Sequence, residues 1–145
     1  MKKLIAKKHS MMQIFSETGE ALPVTILVLN EEMEENAVAE GTLVAVSGIS
    51  KGKGFQGVVK RHGFKGGRRT HGQKHSEREP GSISGSGGRA GGRVAKGMRM
   101  AGRMGGERVT VKNLRVAKII PESREIFLVG AVPGRRGAKV EIKTA

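Results

Sequence analysis

The chain has 145 residues, no cysteine and a formal net charge of +14. That length leaves room for one domain, and the missing cysteines exclude a disulfide framework, thiolate catalysis and thiolate zinc sites while fitting a reducing compartment. No window approaches the roughly 18 consecutive apolar residues of a membrane helix and no apolar run backs the charged start, so neither a span nor a signal peptide is expected and the cytoplasm is the default.

In chain order, residues 2–8 (KKLIAKK) lead into a strand at Met11 to Phe15. Glu17-Thr-Gly-Glu20 is a turn with Gly19 at the position needing positive φ, and Leu22 to Leu29 returns as a largely buried strand, with Pro23 near its start where a strand tolerates it. The pair reads as a hairpin. Asn30 to Glu40 is acidic and is compatible with either a short helix capped by Asn30 or a loop. Gly41 to Ser47 resumes the strand pattern, and the chain leaves the core at Gly48 to Ser50.

Residues 51–106 differ from everything around them. They hold 14 Lys or Arg against two acids, Glu77 and Glu79, and 17 of the 23 glycines. Residues 9–50, by contrast, carry a charge of −7 with no Lys or Arg at all. Apolar side chains are too sparse in the basic segment to offset the backbone entropy of so many glycines, so it is expected to fold against a polyanion. Glycine at this density rules out the stable amphipathic helix that membrane-surface binding would want, which leaves nucleic acid.

Beyond the basic segment, Arg108 to Val111 and Leu114 to Ile120 read as strands broken near Lys112-Asn113, followed by a turn at Pro121 to Arg124 and a strand at Glu125 to Val132. Pro133 to Gly137 is an exposed basic turn. Lys139 to Lys143 alternates in the manner of an edge strand guarded by lysines. The expected fold class is mainly β: a small, reduced β-barrel body with a long basic Gly-rich loop extension. Residues 1–50 would supply N-terminal barrel strands with the acidic 30–40 segment, 51–106 the loop, and 107–145 the C-terminal barrel strands.

Two motifs suggest chemistry and fail on context. Gly52-Lys-Gly54-Phe-Gln-Gly57 matches G-x-G-x-x-G after a strand, but a dinucleotide site requires a helix directly after it, and Val58 to Thr70 is a poor helix former; a kinase loop needs aspartates, and all 13 acids are Glu. His71 and His75 have a metal-ligand spacing, but surrounding positive charge repels a divalent cation. No catalytic residue, metal or cofactor is expected, nor a small-molecule substrate.

The basic clusters alternate with Gly, so that backbone N–H groups and side chains can both approach phosphates. The RNA-binding candidates are Lys51, Lys53, Lys60, Arg61, His62, Lys65, Arg68, Arg69, His71, Lys74, His75, Arg78, Arg89, Arg93, Lys96, Arg99 and Arg103, with Arg135 and Arg136 in the later basic turn. Phe55 and Phe64 are the segment's only aromatics, so base-stacking platforms are not expected; binding should be phosphate-dominated and shape-led, as for folded RNA.

Several blocks also resemble a known family in its own order. They are Ser50-Lys-Gly-Lys-Gly-Phe-Gln-Gly-Val-Val-Lys-Arg-His-Gly-Phe64, Thr70-His-Gly72, Pro80-Gly-Ser-Ile83, Lys96-Gly-Met-Arg-Met-Ala-Gly-Arg-Met-Gly105, Glu107-Arg-Val-Thr-Val111 and Gly130-Ala-Val-Pro-Gly134. Together they resemble the bacterial form of large-subunit ribosomal protein L-three, densely over residues 47–145 and more loosely over 1–29. The resemblance implies a β-barrel on the large ribosomal subunit and a basic loop running through ribosomal RNA towards the peptidyl transferase centre. An early assembly role is implied too, with proteins L-fourteen and L-nineteen as neighbours. This chain departs from the family in three places. The acidic stretch Asn30 to Glu40 stands where relatives carry a longer segment, Ser10 and Met12 replace Gly and Thr, and Ser84-Gly85 replaces a Gly followed by a modifiable Gln. The rival functions are a non-specific RNA chaperone or nucleoid-type binder, and a nucleotide-dependent enzyme acting through Gly52 to Gly57.

Overall fold

The computed structural model describes residues 3–30, 38–83 and 94–144. It contains strands β1 (Lys3–Phe15), β2 (Ala21–Leu29), β3 (Leu43–Ile49), β4 (Gly54–Gln56), β5 (Gly102–Met104), β6 (Arg108–Ile120), β7 (Glu125–Val129) and β8 (Lys139–Thr144), with one helix, α1 (Val58–His62). The chain divides into two compact units, one of residues 1–51 with 106–145 and the other of residues 52–105.

In the first unit six antiparallel strands pair in the order β1-β2-β7-β6-β3-β8, and β8 pairs back onto β1 to close the ring. Closure gives each of the six strands a partner on both sides, which matters in a chain rich in Val and Ile. Strand alternation then sends one set of side chains inward. Ala6, Leu27, Leu29, Val44, Val46, Leu114, Val116, Ile126, Leu128, Val140 and Ile142 come from all six strands and form one buried cluster with Val132. Burying each Val, Leu or Ile among them contributes about 1.5–3 kcal/mol relative to exposure. The opposite face of β2 and β7 is also covered: Val24, Ile26 and Phe127 form a second cluster against Ile14, Ala117, Ile120 and Val129. This explains why β2 is apolar on both faces.

The hairpin expected between the first two strands is present, with Gly19 at φ 82 in its turn and the Ser16 N–H donating to the Glu20 carbonyl at 2.9 Å. Its first strand is longer than expected. β1 begins at Lys3: Lys3 to Lys7 pair with β8, while Ala6 to Phe15 pair with β2 across a register shift between Lys8 and Met11. The expected break near Lys112-Asn113 is no break: β6 runs through, with Asn113 at φ 59 opposite the register shift between Val44 and Val46. Asn accepts this left-handed backbone more readily than most residues, so it accommodates a bulge.

The expectation of an edge strand at Lys139 to Lys143 is overturned. β8 lies between β1 and β3, with Ile142 opposite Leu4 on one side and Val46 on the other. Alternating Lys with Val and Ile marks an outward and an inward face; it does not distinguish an edge from an interior position. β7 ends at Val129, three residues before the expected Val132. Gly130 turns the chain at φ 100, and its carbonyl accepts a 2.6 Å hydrogen bond from the buried Thr25 hydroxyl. The choice between helix and loop in the acidic stretch falls largely on residues 31–37, outside the described residues.

Candidate nucleic-acid interface

The unit of residues 52–105 is ordered by other means. β4 and β5 pair antiparallel, Gly54 opposite Met104 and Gln56 opposite Gly102. Directly after β4, Val58-Val-Lys-Arg-His62 makes a single helical turn. Gly63 ends it at φ 73, where its N–H reaches back to the Val59 carbonyl at 3.0 Å. A Gly in the left-handed region is the usual stop signal for a helix, and here it acts after five residues. A dinucleotide-binding unit needs a full helix behind its glycines, so Gly52 to Gly57 does not sit in that context.

Two of the sequence candidates face their own chain. The Arg61 guanidinium donates to the Met100 carbonyl at 2.7 Å, and His62 Nε2 lies 3.0 Å from the same oxygen. Both side chains are half-buried. Gly102 leaves the space for this, since a Cβ there would lie 2.7 Å from Arg61 Nη1. Arg61 and His62 therefore tie α1 to the backbone two residues before β5.

The remaining described candidates are turned outward. Lys51, Lys53, Lys60, Lys65, Arg68, Arg69, His71, Lys74, His75, Arg78, Lys96, Arg99 and Arg103 are all exposed, as are Arg135 and Arg136 in the turn after β7. Arg89 and Arg93 lie outside the described residues. Among the described residues of this unit, one ion pair forms, Arg69 to Glu77 at 3.3 Å, with both partners well exposed. Such a pair is worth little in water and leaves the surrounding positive field almost intact. His71 and His75 belong to no group of three or more potential metal ligands among the described residues. Among the described residues Phe55 is the most exposed large apolar side chain, at 76%.

One cation with a defined role escaped the sequence candidates. Lys8 donates to the carbonyls of Val132 at 2.6 Å and Gly134 at 3.2 Å, clasping the loop between β7 and β8. Burial, followed by the nearby charge of Lys51, lowers its pKa from the ordinary lysine value. The signal was present in the alternation of β1: Leu4 and Ala6 point into the core, and Lys8 shares their parity. In the same unit Arg108 grips Glu141 through both guanidinium nitrogens. That hydrogen bond raises the Arg108 pKa and holds the Glu141 carboxyl below its ordinary value. Arg108 is thus a matched charge, unlike the described Lys and Arg of residues 52–105 other than Arg69.

Residues 1–126 match the family described as Ribosomal protein L3. The chain belongs to the ribosomal protein L3 family. It is 47% identical over 128 residues to the large ribosomal subunit protein uL3 of Acidothermus cellulolyticus, covering 88% of this chain and 55% of that protein. The uL3 protein of Chlorobaculum parvum is 48% identical over 129 residues, covering 89% of this chain and 61% of that one. For Clavibacter michiganensis the figures are 52% over 117 residues, 81% and 53%. The chain spans about half the length of the curated relatives it matches. The family match runs through the whole basic unit and ends within β7.

Proposed function

We propose that this chain is a structural constituent of the large ribosomal subunit that binds large-subunit ribosomal RNA, and that it works in the cytoplasmic ribosome without catalysing a reaction. The observation that carries this is membership of the ribosomal protein L3 family across a segment whose described cations, Arg61 apart, are exposed and almost free of acidic partners. Exposed Lys and Arg set among glycines neutralise phosphates and admit close approach of the RNA backbone, and the wide, shallow groove of an RNA helix favours recognition by shape. On this reading the contacts come from Lys51, Lys53, Lys60, Lys65, Arg68, Arg69, His71, Lys74, His75, Arg78, Lys96, Arg99 and Arg103, with Arg135 and Arg136 contributing from the first unit. Arg61 and His62 act beneath that surface by holding Met100.

Three finer points follow from the family resemblance. The basic loop runs towards the peptidyl transferase centre, the protein joins the subunit early in assembly, and its protein neighbours are L-fourteen and L-nineteen. Titration of the chain with large-subunit ribosomal RNA at increasing salt tests the central claim. With on the order of ten phosphate contacts, the slope of log affinity against log salt is expected near −7 to −9. An affinity that ignores salt overturns the proposal. Stoichiometric co-sedimentation with large subunits separates it from a non-specific RNA chaperone, which would distribute over any RNA supplied.

A further inference from the structure

A glycine-rich cationic segment ordinarily orders only when its ligand arrives. Residues 66–77 (GGRRTHGQKHSE) contain no large apolar side chain, yet they close on themselves. The Gly67 N–H donates to the Glu77 carbonyl at 2.9 Å. Gly66, at φ +77, packs so tightly on that oxygen that an added Cβ would overlap it. A Cβ on Gly67 would lie 2.8 Å from both Gln73 Nε2 and the Ser76 carbonyl. Inside the loop the Gln73 N–H donates to the Thr70 carbonyl at 3.0 Å, and Gln73 Nε2 donates to the Ser76 hydroxyl at 2.9 Å. The neck is therefore two consecutive glycines laid against Ser76 and Glu77 with no room for a side chain between them. Arg68, Arg69, His71, Lys74, His75 and Arg78 stand around it, all exposed.

We propose that residues 66–77 form a ring closed before RNA arrives, whose Gly66–Gly67 neck holds these six basic side chains in one arrangement and lets the loop dock on the phosphate backbone of folded RNA as a finished unit. The proposal rests on the ribosomal RNA reading above and adds to it where the ordering cost falls: in folding of the free chain, not in binding. Two backbone carbonyls and one glutamine do here what a hydrophobic core does elsewhere.

The test uses the full chain, with amide hydrogen exchange at Gly67 in the free protein and affinity for transcribed large-subunit ribosomal RNA as readouts. The Gly67 amide is expected to be protected without RNA. Gly66→Ala should abolish that protection while the barrel amides stay protected, and should weaken RNA binding about tenfold, the factor for a ring formed roughly one time in ten. Ala21→Ser, at an exposed position at the start of β2 and away from every proposed contact, should change neither readout. Gln73→Leu removes an internal bond without touching the neck, and should move both readouts in the same direction by a smaller factor. If the parent chain binds RNA while Gly67 exchanges freely, or if Gly66→Ala binds as tightly as the parent, the pre-closed ring is overturned and the RNA reading stands. Failure of the parent chain to bind ribosomal RNA overturns both.

Discussion

The two units of this chain solve the ordering problem with opposite materials. Residues 3–30, 38–51 and 106–144 form a ring of strands around eleven inward aliphatic side chains and Val132, with the buried hydroxyls of Thr25 and Ser47 both hydrogen-bonded. The described residues of 52–105 fully bury one hydrophobic side chain, Val58, and are shaped by glycines, backbone carbonyls and the side chains of Arg61, His62 and Gln73. The lesson is a division between cohesion and display. Apolar burial supplies cooperative stability but consumes side chains, whereas glycine-based closure leaves nearly every cation free to face outward.

The sharpest way to break the comparison is to remove one unit's loop. Deletion of Gly63 to Gly92 is expected to leave a folded barrel, seen as an unchanged β-type circular dichroism spectrum and a cooperative melt, while incorporation into large subunits is lost. Normal incorporation would show that the two units do not divide the work in this way. Next in size is damage to the barrel itself. Leu27→Ala opens a cavity at a fully buried position shared by the whole ring and should cost about 2–5 kcal/mol in denaturant unfolding, a large part of the stability of a domain this small.

The smallest effect concerns the matched pair of the barrel unit. Hydrogen bonding from Arg108 lowers the Glu141 pKa from 4.5, so the folded state favours the ionised carboxylate. Its contribution is fully present above that value and fades as pH falls through the lowered one. Glu141→Gln should therefore flatten the acid limb of stability against pH, read by denaturant unfolding at about pH 6 and about pH 3. The change should be slight, because the pair is partly exposed and screened.

Much of the barrel was legible residue by residue. Gly19 between Phe15 and Leu22 announced a hairpin, and the two-faced apolarity of Val24 to Leu29 announced a strand covered on both sides, as its membership of both clusters shows. The position of β8 was not legible, because Lys-Val-Glu-Ile-Lys reads the same on an edge and inside a closed ring. The sequence near Lys112-Asn113, expected to break the strand, suits a bulge equally well, because Asn accepts left-handed backbone and only the partner strand decides. Among the cations, charge and glycine spacing marked Arg61 and His62 as contacts equal to the rest. Their turn towards Met100 depends on a carbonyl 38 and 39 residues away.

By itself, then, the sequence determined where the chain is apolar, where it is cationic and where it turns, because those properties are local to a few residues. It also determined the family, since ordered blocks of identity need no coordinates. Tertiary structure alone decided the order in which six strands close the ring, that Lys8 serves a loop beyond residue 130, and that Gly66 and Gly67 form a neck. Each of these depends on pairing between distant residues, where the strength of a hydrogen bond or the room for a Cβ is set by what the rest of the fold brings alongside.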